Sequence, residues 1–150
     1  INICEIATTG GYTDWRLPNI KELHSIIDYS RAPDYTNSAA INDIFTITSI
    51  INEGGKTDYG YYWSSTTHAN NAGAGKSGAY MAFGRALGYV GSTVLDVHSA
   101  GAQRSNYKMD ISTTQGGNFA IGANGTFYYH GPQGDILRAN NMVRCVRNID

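Results

Sequence analysis

The stretch Leu17-Pro18-Asn19-Ile20-Lys21-Glu22-Leu23-His24-Ser25-Ile26-Ile27-Asp28 sets the reading of the whole chain. Asn19 suits a helix cap, because its side-chain oxygen can accept a backbone N–H that the first helical turn leaves unpaired. Glu22, three residues on, can reach back to the Asn19 N–H and close a capping box. Ile20, Leu23, Ile26 and Ile27 then fall on one face at helical spacing. The pattern predicts a helix that ends near Tyr29 and Ser30, before Pro33. Its outer face carries Lys21, His24 and Asp28, with His24 read as a solvated surface residue.

On the N-terminal side, residues 3–7 read as the end of an earlier helix, stopped by Gly10-Gly11. On the C-terminal side, residues 38–45 read as a short helix capped by Ser38, and residues 46–51 as a brief β-branched run. From Tyr59 the pattern changes to strands. Tyr61-Tyr62-Trp63-Ser64-Ser65-Thr66 and Ala79-Tyr80-Met81-Ala82-Phe83 are aromatic-rich and β-prone, with a loop over 69–78 between them. Residues 84–118 read as mostly irregular, and so long an irregular stretch is usually functional or specifically stabilised. Thr126-Phe127-Tyr128-Tyr129 suggests another strand, and residues 141–147 a last one, where Met142, Arg144 and Val146 alternate with Val143, Cys145 and Arg147. There is no repeat, heptad or linker. Helices first and short strands later predict an α+β domain, its helices segregated from an antiparallel sheet.

At 150 residues the chain fits one domain, residues 1–150, large enough for a self-supporting core. Charged residues are only 15%, and the net charge is −1. The polarity comes from neutral groups: Gly, Asn, Thr and Ser make up 55 of the 150 residues, a loop-forming composition. So little positive charge is against nucleic acid or an anionic membrane surface as partner. No apolar run approaches the roughly 20 residues of a membrane span. The chain begins Ile1-Asn2-Ile3-Cys4, which reads as a mature product or a fragment.

Cys4 and Cys145 are the two cysteines. Neither has a second cysteine or a histidine at metal-ligand spacing. Two readings stay open on the residues alone. One is a disulfide joining the chain ends, which implies an oxidising compartment. The other is a pair of buried reduced thiols packing as small hydrophobes.

Several motifs tempt and fail. Gly75-Lys76-Ser77 resembles the end of a phosphate loop, but Asn70 stands where its first glycine belongs and no helix pattern follows. Ser65, His68 and Asp96 make a hydrolase triad only on paper, with no G-x-S-x-G elbow. No nucleophile–base pair is legible, so the chain is read as not an enzyme. Asp96 with Asp135 is a weak candidate for a structural calcium, and no other cofactor is expected. Asn124-Gly125-Thr126 fits a glycosylation sequon without further support.

The run Gly11-Tyr12-Thr13-Asp14-Trp15-Arg16-Leu17-Pro18-Asn19-Ile20-Lys21-Glu22-Leu23 resembles the signature of a bacterial domain family typified by the C-terminal domain of the Legionella collagen-like adhesin. The likeness continues in order through Tyr62-Trp63-Ser64-Ser65-Thr66-Thr67-His68, Ala82-Phe83-Gly84-Arg85-Ala86-Leu87-Gly88-Tyr89, Gly101-Ala102-Gln103-Arg104-Ser105, Gly131-Pro132-Gln133-Gly134-Asp135 and Val143-Arg144-Cys145-Val146-Arg147. The resemblance implies a C-type lectin-like fold of the formylglycine-generating-enzyme variant: two N-terminal helices packed on short antiparallel strands with long loops. It also implies a disulfide from helix to last strand, Cys4 to Cys145, and a first strand that this chain lacks. Catalysis does not carry over, since both cysteines sit at the structural bridge.

The expected function is a secreted, cell-surface or periplasmic bacterial recognition module that binds a glycan or a surface protein through its long loops. Residues His98, Gln103, Arg104, Lys108, Asp135 and Arg138 are the expected ligand contacts, because Arg forks, amides and imidazoles suit hydroxyls and carboxylates. The alternative is a structural domain of an extracellular fibre or homo-oligomer without a small-molecule ligand.

Overall fold

The computed structural model describes residues 2–69, 75–108 and 118–149. Ten strands and three short helices form among them. The helices are α1 (Asn2–Glu5), α2 (Ile20–His24) and α3 (Pro33–Thr36). The strands are β1 (Ser49–Ile51), β2 (Thr57–Tyr59), β3 (Tyr61–His68), β4 (Ser77–Ala82), β5 (Leu87–Val90), β6 (Thr93–Asp96), β7 (Ala102–Tyr107), β8 (Asn118–Gly122), β9 (Gly125–His130) and β10 (Asp135–Leu137). They form three antiparallel sheets, ordered β1-β2, β3-β4-β7 and β6-β5-β10-β9-β8.

The centre is β4, whose every residue is buried. Its period-two alternation serves two cores. Ala79 and Met81, with Tyr62 and Phe83, face Ile20 and Leu23 of α2 and Ile41. Tyr80 and Ala82 face the other way with Tyr61, Trp63 and Ala86, where Tyr61 and Tyr80 stack at 4.6 Å between ring centroids. A third core joins Leu87, Phe127 and Ile136 of the five-stranded sheet.

The capping box on α2 is complete. The Glu22 N–H donates to Asn19 Oδ1 at 3.0 Å, and the Asn19 N–H donates to Glu22 Oε2 at 2.8 Å. Arg16 adds a bidentate pair to Glu22 at 2.8 and 2.7 Å, and with the cap this pulls the Glu22 carboxyl down to about 2. The chain ends are strapped together. Cys4 and Cys145 form a disulfide, and the Arg16 and Val146 backbones exchange both hydrogen bonds, at 2.8 and 2.9 Å. The open choice between disulfide and free thiols is thus closed.

The α+β expectation is corrected: the described residues are mostly β, about 40% strand against 11% helix. The two-helix C-type lectin-like layout fails with it. The helix begun by Asn19 stops at His24, and Ile26 and Ile27 are held instead by turn bonds to Leu23 and His24, with Ile27 bridged to Ile41. Residues 38–45 are not helical. The stretch read as irregular over 84–118 holds β5, β6 and β7 within 84–108, and its residues 109–117 lie outside the described residues. The β5–β6 hairpin turns through Gly91 and Ser92, both at positive φ (55° and 65°), as a tight hairpin turn requires. Serine at the second place hides that turn from sequence reading. Residues 141–147 are not a ladder strand: Met142 makes a single bridge to Tyr62 of β3, and Val146 one to Arg16, outside the sheets. No helix among the described residues is long and apolar enough to cross a membrane.

Candidate functional site

The β4–β7 register sets Arg104 beside Tyr80 and Ser105 beside Ala79. The β9–β10 register sets Asp135 opposite His130. The three-stranded and five-stranded sheets therefore bring their polar residues to one seam. A groove of about 440 Å³ opens there, lined by Thr66, Thr67, His68, Ala69, Ala79, Gln103, Arg104, Ser105, His130 and Asp135.

Asp135 is its anchor. It receives His98 Nε2 on one carboxylate oxygen at 2.7 Å and the Arg104 guanidinium on the other. Burial alone would push its carboxyl up, but the bonds from His98 and Arg104 outweigh burial and hold it below the ordinary carboxylate value. His130, half-buried beside it, is shifted down by burial and so favours its neutral form. His68 Nδ1 meets the Ser105 hydroxyl at 2.7 Å, and Lys108 Nζ donates to Thr67 Oγ1 at 2.7 Å. Gln103 is exposed on the groove wall. The groove thus offers hydroxyls, imidazoles, a guanidinium, an amide and one carboxylate, a mixed set of donors and acceptors.

Of the residues expected from sequence, Gln103, Arg104 and Asp135 line the groove, His98 buttresses Asp135, and Lys108 bonds Thr67 on its wall. Arg138 does not join them. It pairs bidentately with Glu53 at 2.9 and 2.6 Å and stacks 4.1 Å over the Tyr61 ring, most of it buried. Asp96 does not meet Asp135 either. Its Oδ1 accepts the backbone N–H groups of Ala86 and Ser99, so it staples a turn. No group of three or more His, Cys, Asp or Glu among the described residues could hold a metal. The paper triad is dispersed: Ser65 Oγ donates to the Pro18 carbonyl, while His68 serves Ser105. Sequence reading missed Thr66, Thr67, Ser105 and His130. The available signal was the end of β3, where a β-prone run turns polar as Thr66-Thr67-His68.

A sequence model of one family, described as the Lcl C-terminal domain, matches residues 1–147. No curated protein and no solved structure matches the chain.

Proposed function

The chain belongs to the Lcl C-terminal domain family, and from that premise we propose that it is a bacterial extracellular recognition domain that binds a glycan through the groove at the seam. The observation that carries this is the spare bonding capacity there. Gln103 is exposed, and His68, His130 and the three hydroxyls of Thr66, Thr67 and Ser105 converge on one concavity. Sugars present hydroxyls that donate and accept at once, which a mixed set of this kind can match. The family's link to a bacterial adhesin supports an extracellular or cell-surface setting, as does the disulfide. Neither nucleic acid nor a membrane is proposed as partner, and no catalytic role is proposed.

Labelled protein on a printed glycan array tests this, with His68→Ala beside the wild type. His68 is exposed, so its loss is expected to leave the fold intact. The expected result is one family of saccharides bound by the wild type and lost in the variant. Absence of any bound glycan, or an unchanged profile in His68→Ala, would count against the groove.

One observation favours a second reading, an assembly domain of a fibre or oligomer. Among the described residues strand β8 ends its sheet, and it exposes Phe119 (68%) and Ile121 (82%); apolar edge strands invite pairing with another chain. Sedimentation of the wild type against Ile121→Lys distinguishes it: a concentration-dependent oligomer that the lysine dissolves supports assembly.

A further inference from the structure

Among the described residues β7 is the outer strand of its sheet, and its free edge lies on the seam groove. The register fixes which backbone groups that edge presents. In an antiparallel pair, successive residues alternate between bonding the partner strand and pointing their N–H and C=O away from it. The Lys108 N–H donates to the Lys76 carbonyl at 2.9 Å, which continues the ladder and makes Ala102, Arg104 and Asn106 the residues that bond β4. The other side of β4 agrees. Tyr61 and Trp63 of β3 turn their backbones away to Met142, which leaves Met81 to bond β3 and Tyr80 to bond β7. Gln103, Ser105 and Tyr107 therefore direct their N–H and C=O groups outward, and no described backbone group bonds them. Gln103, Arg104 and Ser105 alternate between the two faces of the sheet, yet all three line one concavity. The groove thus folds over the strand edge.

His130 and Asp135 of the other sheet line the groove across the seam. Both Asp135 oxygens are engaged by His98 and Arg104. The His130 ring bonds no described residue, and in its neutral form one ring nitrogen is an acceptor. One wall thus carries fixed backbone donors and the other an imidazole acceptor, and the exposed Ala69 adds a methyl to the lining. A trans amide suits such a pair of walls, because its C=O and N–H point in opposite directions. Resting on the reading of this groove as a glycan site, we propose that its ligand is an N-acetylamino sugar. The acetamido carbonyl accepts the N–H of Ser105, whose ladder partner Ala79 also lines the groove. The acetamido N–H donates to His130, and its methyl packs on Ala69. An extended peptide can also pair with a free edge, but it needs an open run of strand. Here the Arg104–Asp135 pair joins the two sheets, and the concavity of about 440 Å³ is of small-ligand size.

Backbone amide chemical shifts of the isotope-labelled, disulfide-bonded protein test the proposal. The titrants are N-acetylglucosamine and N-acetylgalactosamine, with glucose and galactose in parallel. The expected result is that the Ser105 amide moves with at least one N-acetyl sugar and stays still with the parent hexoses. Ser105→Pro deletes the outward N–H without touching the ladder to β4, at a place where a strand edge tolerates proline. It is expected to weaken the N-acetyl sugar at least tenfold relative to Ser105→Ala, which keeps the N–H. Should Ser105→Pro not fold, His130→Phe removes the acceptor from the other wall and produces a comparable loss. An equal response to the parent hexoses overturns the proposal and leaves the glycan reading standing. No response to any of these sugars overturns it too, and the glycan reading falls with it only if the array is also blank. Binding that survives either substitution, or a capped dipeptide that moves the Ser105 amide as strongly as the sugars do, likewise overturns it.

Discussion

Two clusters in this protein are built around an aspartate and an arginine, and they are finished in different ways. Around Asp58, which is wholly buried, the bonds close inward. Its carboxylate accepts the Arg85 and Tyr59 backbone N–H groups and the Asn52 amide, all at 2.9 Å. Arg85 itself is spent on Asp34, at 2.8 and 2.7 Å, and on the Thr57 carbonyl. Around Asp135 the carboxylate is equally engaged, yet Arg104 keeps about a third of its side chain exposed and a groove lies alongside. Residue types do not separate a structural cluster from a candidate site. Unspent bonding capacity beside a concavity does.

Removing a partner should show the difference. Asp58→Ala leaves the Arg85 and Tyr59 backbone N–H groups and the Asn52 amide without their acceptor and removes the buried carboxylate 3.7 Å from the Arg85 guanidinium, and is expected to cost about 3–5 kcal/mol, the range for breaking a buried charge pair. Chemical denaturation measures it, and a loss under about 1 kcal/mol, as surface pairs give, would erase the contrast. Gly84→Ala probes the same cluster from the backbone. A Cβ there would stand 2.3 Å from Asp58 Oδ1 and 2.5 Å from the Tyr59 carbonyl. The expected cost is about 1–3 kcal/mol, as for overpacking, read from the same curves.

Glu22 gives a half-buried acid between these extremes. Its carboxyl is normally near 4.5 and is held at about 2 in the folded protein, first by Arg16 and then by the cap. A depressed folded value means that its contribution is complete above about pH 4.5 and is lost as pH falls toward 2. Stability should therefore decline through that window. Glu22→Ala should cost about 1 kcal/mol near neutral pH, as for a lost cap, and make the acid limb shallower. An unchanged acid limb would show that the Arg16–Glu22 pair carries little.

The contrast also explains what could be read from sequence. The Gly11–Leu23 signature and the Ala82–Tyr89 stretch that holds Gly84-Arg85 carried the resemblance to the family, and both turn out to build the frame: the first strapped and capped, the second closing the Asp58 cluster. Strands β3 and β4 were legible because aromatic and β-branched residues mark them. Strand β7 was not, because Gln103-Arg104-Ser105-Asn106 has no apolar alternation and is held by its partner β4. The three-residue β10 was hidden by Gly131 and Gly134 just before it. Polar residues of β7 and β10 were named for the site from their chemistry, yet their meeting depends on a seam between sheets that no local pattern encodes. Arg138 was named on the same chemistry and lies instead against Glu53 and Tyr61.

Arg104→Ala is the most direct test of the groove as a binding site, with thermal unfolding and the glycan profile measured on the same preparation. The partly exposed arginine should cost little, shifting the midpoint by less than about 4 °C, which corresponds to about 1 kcal/mol at this size. Its loss should abolish the saccharide signal of the wild type. A midpoint that drops well beyond that range with the binding profile unchanged would make Arg104 a clamp between sheets, like Arg85, and contradict the assignment.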